Sequence, residues 1–191
     1  NMAKNNCGIC GVDVNLMQQQ KLSDGSYICR KTCRAKGFKE LDYVNATLYQ
    51  VKAHLDQVDK GTNLWKHYFI PRKKPADRSQ KLHRVATNLY VAEDIGLLAL
   101  VKTKYKIFIF GKTETACVYR VADLYDYAYE GEEKVDKDGK KTTNHYIRLS
   151  LRNVEGLSNF RVKINNEIHY QKASKYFDTL FGIQKTVGNI K

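Results

Sequence analysis

Prolines and acidic residues are scarce in this chain of 191 residues, which has two prolines and 20 aspartates and glutamates against 33 lysines and arginines. The formal net charge of +13 points to an anionic partner or surface, although excess charge also favours solubility. Long apolar runs are missing too, since none approaches the roughly 20 residues that span a bilayer. The first residues lack the basic-then-apolar pattern of a secretory signal, so we expect a cytoplasmic protein.

Sequence signatures of catalysis are also missing. The chain contains no phosphate-binding loop and no G-x-G-x-x-G, H-E-x-x-H or G-x-S-x-G pattern. The histidines are scattered, without carboxylates at metal-ligand spacing; they are His54, His67, His83, His145 and His169. We therefore predict that the protein is not an enzyme.

Four of the five cysteines fall near the start of the chain, in a C-x2-C-x18-C-x3-C pattern formed by Cys7, Cys10, Cys29 and Cys33. This spacing is typical of a four-cysteine zinc site, and paired cysteines in a reducing cytosol are more often metal ligands than disulfides. Two disulfides, which would need an exported protein, and a redox dithiol are the alternatives. Because four thiolates leave no open coordination position, we predict a structural zinc ion that holds a small ribbon together.

The residues around these cysteines predict the local structure of the ribbon. The segment KLSDGSYIC is typical of a β-hairpin with Asp24 and Gly25 at its turn. The i, i+4 spacing of Cys29 and Cys33 places both sulfurs on one face of a helical turn. Cys117, far along the chain in an apolar stretch, is instead predicted to be a buried small side chain rather than a reactive thiol.

A helix follows the ribbon. Thr47 and Gln50 form a capping-box signature, and apolar residues then repeat at helical spacing. We predict a helix over about residues 46–59 that ends at Gly61. His54 lies on its polar side and is predicted to be solvated rather than a ligand.

Residues 62–86 look the least regular and contain both prolines. Aromatic residues Trp65, Tyr68 and Phe69 precede a basic cluster formed by Lys66, Arg72, Lys73, Lys74, Arg78, Lys81 and Arg84. Interleaved aromatic and basic residues can stack on bases and contact phosphates, so this cluster is a candidate anion-binding or nucleic-acid-binding site. The alternative is a solvated connector whose aromatic residues pack onto a neighbouring domain.

From about residue 88 the hydrophobic period changes to two. Seven short β-prone runs follow, separated by turn residues, and they read NLYVAED, GLLALVKT, YKIFIFG, ACVYRV, LYDYAYEG, HYIRLSL and NFRVKIN. The charged segment 131–144 is predicted to be a long hairpin turn. Ala173, Phe177, Leu180 and Ile183 then form one stripe of a helix over about 171–185.

These patterns together predict an α+β fold. We expect a small four-cysteine zinc ribbon over residues 1–38, a linking helix over 39–61 and a basic, aromatic connector over 62–86. Residues 87–191 are predicted to form a curled antiparallel sheet, or partial barrel, with a C-terminal helix that closes one open end.

The segments CGICG, KLSDGSYIC and AKGF, followed by the Thr-capped helix, resemble a zinc-ribbon domain of unknown function from low-GC Gram-positive bacteria and their phages. In such proteins a pleckstrin-homology-like β domain often follows, and LLALVKTKYKIFIFGK with VYRVADLYDYAYEGEE looks similar to part of it. The x3 spacing of the last cysteine pair departs from the x2 expected of that family. The resemblance implies a fold and no catalytic residue.

We therefore expect a non-catalytic zinc-containing binding or adaptor protein of a bacterium or phage that acts through protein–protein contacts. The alternative is a nucleic-acid-binding protein that uses the zinc ribbon and the basic segment 66–84. An anionic membrane surface is a third partner for the same basic residues, and exposed strand edges could support a homo-oligomer.

Overall fold

The computed structural model describes residues 5–106 and 111–182. Its first part is the small ribbon, built from two short antiparallel strand pairs. The strands are β1 Asn5–Asn6, β2 Asp13–Val14, β3 Gln19–Lys21 and β4 Tyr27–Cys29. Strands β3 and β4 form the predicted hairpin, whose turn contains Gly25 in the left-handed region at φ +83°. The predicted helical turn after Cys29 is also present, as a π-helical turn over Arg30–Arg34.

Helix α1 spans Leu48–Leu64 and begins with the predicted capping box. The Thr47 side chain accepts a hydrogen bond from the Gln50 N–H, and the Gln50 side chain accepts one from the Thr47 N–H. The predicted end at Gly61 is wrong, because the helical path continues through the π-helical segment Trp65–Phe69 into the short helix α2, Ile70–Arg72.

Gly61 serves close packing instead of ending α1. A Cβ atom at this position would overlap the Ala116 carbonyl oxygen of a strand in the first sheet and lie 2.9 Å from the Val118 N atom. The absence of a side chain therefore lets the helix lie directly on the sheet.

His54 was predicted to be solvated, and that prediction is wrong. Its side chain is completely buried between α1 and the end of the ribbon. Its Nε2 atom accepts a hydrogen bond from the Phe38 N–H at 2.8 Å, and its Nδ1 atom lies 3.1 Å from Gln57 Oε1. A histidine that satisfies two neighbours in this way can occupy a buried position on a helix face that looks polar in the sequence.

The predicted irregular connector is largely regular. Residues up to Arg72 are helical, and Leu82–Ala86 form strand β5 of the first sheet. The predicted packing of the aromatic residues is confirmed for Trp65 and Phe69, which are fully buried against the sheet, whereas Tyr68 is exposed.

Two antiparallel sheets make up most of the remaining chain. The first has the order β5-β6-β7-β8 and the second β11-β10-β9. Their strands are β6 Leu89–Ala92, β7 Leu97–Lys106, β8 Gly111–Arg120, β9 Leu124–Val135, β10 Lys141–Leu151 and β11 Asn159–Ile164. In the described residues β8 and β9 are not paired, so the strands form no closed barrel.

Two details of the predicted strand pattern differ from the structure. Segment 131–144 is not a long turn, because β9 and β10 extend through most of it and leave a short turn with Gly139 at φ +78°. A separate strand over 105–111 is not seen: its first two residues end β7, Gly111 begins β8, and residues 107–110 lie outside the described part of the chain.

Helix α3, Glu167–Phe181, confirms the predicted C-terminal helix as far as it is described, while Ile183 lies outside the described residues. One cluster of buried side chains extends from Cys7 in the ribbon through Val51 of α1 and Leu149 of β10 to Phe177 of α3. The ribbon thus shares its core with the rest of an α+β fold. None of the helices in the described part of the chain combines the length and apolar character needed to cross a membrane.

Candidate metal centre and basic groove

The four cysteines of the predicted site come together within the ribbon. Cys7 and Cys10 lie between β1 and β2, Cys29 ends β4, and Cys33 lies in the π-helical turn that follows. Their four Sγ atoms all lie within 4.8 Å of one another, and two pairs, Cys7 with Cys33 and Cys10 with Cys29, are 3.8 Å apart. Tetrahedral zinc–sulfur bonds of about 2.3 Å separate neighbouring sulfurs by about 3.8 Å. The arrangement therefore fits a single structural metal ion.

Backbone N–H groups favour the thiolate form of Cys7, whereas burial raises the pKa of the Cys33 thiol. The Cys29 N–H donates to Cys7 Sγ and the Cys33 N–H donates to Cys29 Sγ, each at 3.3 Å. Burial of Cys7 opposes ionisation, but hydrogen bonds from backbone N–H groups, that of Cys10 foremost, outweigh it and lower the pKa of the thiol from 9.0 to about 6. A thiolate is the form that binds a metal ion.

The fifth cysteine is confirmed as a buried side chain. Cys117 is completely buried in β8, and burial raises the pKa of its thiol from 9.0 to about 12. None of the five cysteines forms a disulfide, and the 3.8 Å separations within the cluster are well beyond the roughly 2.05 Å of a disulfide bond. The geometry thus favours a metal site over the disulfide alternative.

A lysine connects the ribbon to the first sheet. The Nζ atom of Lys102 in β7 donates to the carbonyl oxygens of Ala35, Lys36 and Gly37 at 3.0, 2.9 and 2.7 Å. Burial, and then the nearby charge of Lys104, lower the pKa of this lysine. The end of the ribbon is thereby held at a defined position against β7.

A cleft of about 1170 Å³ lies where the ribbon meets β7, and we call it the basic groove. Strand β7 extends past β6 here: the two pair from Leu97 to Leu100, whereas β7 continues to Lys106 and there pairs, among the described residues, with β8 alone. The groove follows this overhanging part of β7. It lies between residues 30–43, at the end of the ribbon and just after it, and the segment from Arg72 to Tyr90.

The groove carries a large excess of positive charge, with nine lysines and arginines against two glutamates along it. Three of the nine pair with carboxylates, Arg72 with Asp94 and both Lys73 and Lys112 with Glu114. A fourth, Lys102, binds three ribbon carbonyls. In the described part of the chain, no carboxylate forms an ion pair with the other five, which are exposed: Arg30, Arg34, Lys39, Arg84 and Lys104.

The structure divides the basic cluster predicted from residues 66–84. Arg72, Lys73 and Arg84 line the groove, whereas Lys66, Lys74, Arg78 and Lys81 do not. Sequence reasoning also missed Lys39 and Lys104 as members of a binding surface. The alternating VKTKYK of β7 was a usable signal, because lysines two residues apart in a strand lie on one face.

None of the family models, curated proteins or solved structures with which we compared the chain matches it. The resemblance to the zinc-ribbon family therefore stays a prediction, and a functional assignment rests on the metal centre and the basic groove.

Proposed function

We propose that this protein is a non-catalytic zinc-containing adaptor that binds an acidic partner in the basic groove. The observation that carries the proposal is the concentration in one cleft of five exposed cations that have no carboxylate partner among the described residues. Such a surface attracts anionic partners over a distance of about 10 Å at moderate salt.

Zinc is the metal that this donor set suits best. Four sulfur ligands in a tetrahedral arrangement favour zinc or iron, and a cytoplasmic, reducing setting keeps the cysteines available as thiolates. With four protein ligands the ion has no open position for a substrate, so its role would be structural. It would hold the turn Arg30–Arg34, which supplies two of the exposed cations, at the edge of the groove.

We further propose that the two sheets and α3 form a pleckstrin-homology-like unit. The support is the strand order, four antiparallel strands followed by three and then one helix. Folds of this kind present surfaces to other molecules and carry no chemistry by themselves.

A nucleic acid is the second candidate partner. It is favoured by the aromatic residues beside the cations, since Tyr105 is 78% exposed and the Arg84 guanidinium lies 5.9 Å from the centre of the Tyr90 ring. Tyrosine rings next to basic side chains can stack on unpaired bases.

The metal content of the purified protein and its retention on heparin test the main proposal. We expect one zinc ion per chain and retention that weakens with salt. The double variant Arg30→Gln/Lys104→Gln should elute at lower salt than the matched control Arg120→Gln/Lys172→Gln, whose positions are exposed and lie outside the groove. Equal elution of the two variants would remove the groove as the anion-binding site.

A further inference from the structure

We infer that the partner of the basic groove is an acidic peptide segment that adds to the open edge of β7 as an extended strand. This inference rests on the proposed function and specifies the partner and its binding mode. The groove occupies the space that a longer β6 would fill, because β6 stops pairing with β7 at Leu100 while β7 continues to Lys106.

The backbone of β7 presents hydrogen-bonding groups along this edge. The Val101 N–H donates to the Asn88 carbonyl oxygen at 2.8 Å, so the N–H of Val101 points away from β8. The register with β8 is continuous from Leu97 to Lys106, without a bulge. In a regular strand every second residue points its N–H and C=O to the same side. Thr103 and Tyr105 therefore point theirs into the groove, and in the described residues no strand pairs with them on that side.

Cations on both sides of this edge select an acidic segment. Lys102 and Lys104 lie on the ribbon side of β7, since both donate to the carbonyl oxygen of Ala35, and Arg34 lines the groove on that side. On the other face Arg84 lines the groove, with its guanidinium over the ring of Tyr90, which packs on the same side of the sheet as Val101. An added strand sends its side chains alternately to the two faces, so acidic residues on either face would meet a cation.

The edge geometry favours a peptide over a nucleic acid. A polypeptide strand presents N–H and C=O groups at the same spacing as β7, which a sugar–phosphate chain does not. Lysines on an edge strand also discourage pairing with unrelated strands, so they would protect the edge until an acidic segment arrives. The groove adjoins a second cleft of about 860 Å³, with which it shares Lys39 and Asn88, so the space beside β7 does not end at the groove.

The test uses a fluorescently labelled peptide of alternating glutamate and valine, measured by fluorescence anisotropy with the full-length, metal-loaded protein. The same peptide with N-methylated backbone amides keeps its charge but loses its strand hydrogen bonds. We expect the unmodified peptide to bind and the methylated peptide to bind at least about fivefold more weakly. A fivefold loss of affinity corresponds to one hydrogen bond worth about 1 kcal/mol.

On the protein side, Thr103→Pro removes the N–H that points into the groove and leaves the pairing with β8 intact. Proline is tolerated on an edge strand where its missing N–H faces solvent. This variant should bind the unmodified peptide about fivefold more weakly than the unaltered protein does. The control Thr103→Val keeps the N–H and should bind the peptide with unchanged affinity. Equal melting temperatures of the two variants show that the fold is unchanged.

Three outcomes separate this inference from the proposed function. Binding of both peptides with equal affinity would overturn strand addition and leave an anion-binding groove. Binding of oligo(dT) that is unaffected by Thr103→Pro, with no binding of the acidic peptide, would overturn the inference in favour of nucleic acid. Failure to bind the peptides, oligo(dT) and heparin alike would overturn the inference and the proposed function together.

Discussion

Replacing Gly61 by alanine should destabilise the protein, although alanine is the better helix former. A Cβ atom would overlap the Ala116 carbonyl oxygen and come within 3.0 Å of two further backbone atoms of β8. Overpacking a core costs about 1–3 kcal/mol of stability. Because the clash is between the backbone of α1 and the backbone of β8, neither of which can move aside easily, we place the cost of Gly61→Ala at about 3 kcal/mol. The gain in helix propensity is about 1 kcal/mol. We therefore expect a net loss of about 2 kcal/mol, which lowers the melting temperature by about 4–8 °C for a chain of this length.

Gly131→Ala is the matched control for thermal and urea unfolding. Gly131 lies in β9, and a Cβ atom there would be 3.5 Å from Thr143 Cγ2, an ordinary contact. This change should be neutral or stabilise the protein by up to about 1 kcal/mol, because glycine is unfavourable inside a strand. If Gly61→Ala also raised the stability, the close approach of α1 to β8 would be refuted.

Two further predictions concern the metal and pH. Removal of the proposed zinc ion with a chelator should unfold the ribbon and lower the melting temperature, because the ion would tie its short strands together. Cys33→Ser should likewise lose the proposed zinc ion, whereas the control Cys117→Ser should keep it. Elemental analysis measures the zinc content and thermal unfolding measures the stability. Full zinc content in Cys33→Ser would contradict the assignment of Cys33 as a ligand. Burial, and then the nearby charge of Lys102, lower the pKa of His54 below 6.5 despite its hydrogen bond to Gln57. Around this pH the unfolded state therefore binds more protons than the folded state. The contribution of neutral, buried His54 to the free energy of unfolding is complete above pH 6.5 and is lost as the pH falls below it. Urea unfolding measures the free energy of unfolding at pH 7.5 and 5.5. The difference between the two values should be smaller for His54→Gln than for the unaltered protein, and an equal difference would show that His54 does not cause the loss of stability at low pH.

Local patterns were predictable wherever neighbouring residues decide the structure. The hairpin around Gly25, the capping box at Thr47 and the alternating β10 and β11 depend on turn chemistry, end-group hydrogen bonds and period-two burial. The cysteine cluster was predictable for the same reason, since two pairs at fixed spacing reach one ion only through local turns.

Sequence reasoning failed where a distant element decides the outcome. Gly61 looked like a helix stop, but its role depends on Ala116, which is far away in sequence. His54 was predicted to be solvated because it lies on the polar side of its helix, but the N–H of Phe38 in the ribbon donates to its Nε2 atom in the folded protein. A helical segment that contains Gly61 and is followed by Pro71 keeps its path because tertiary packing outweighs propensity.

The amino-acid sequence by itself thus determined the cysteine cluster, most of the strands and the excess of positive charge. Only the tertiary structure decided where that charge is concentrated. Arg30, Arg84 and Lys104 are separated by tens of residues and lie on three different elements, and packing of the ribbon against β7 brings them to one groove. The open edge of β7 is likewise a property of strand lengths in a sheet, because it exists only where β6 ends before its neighbour.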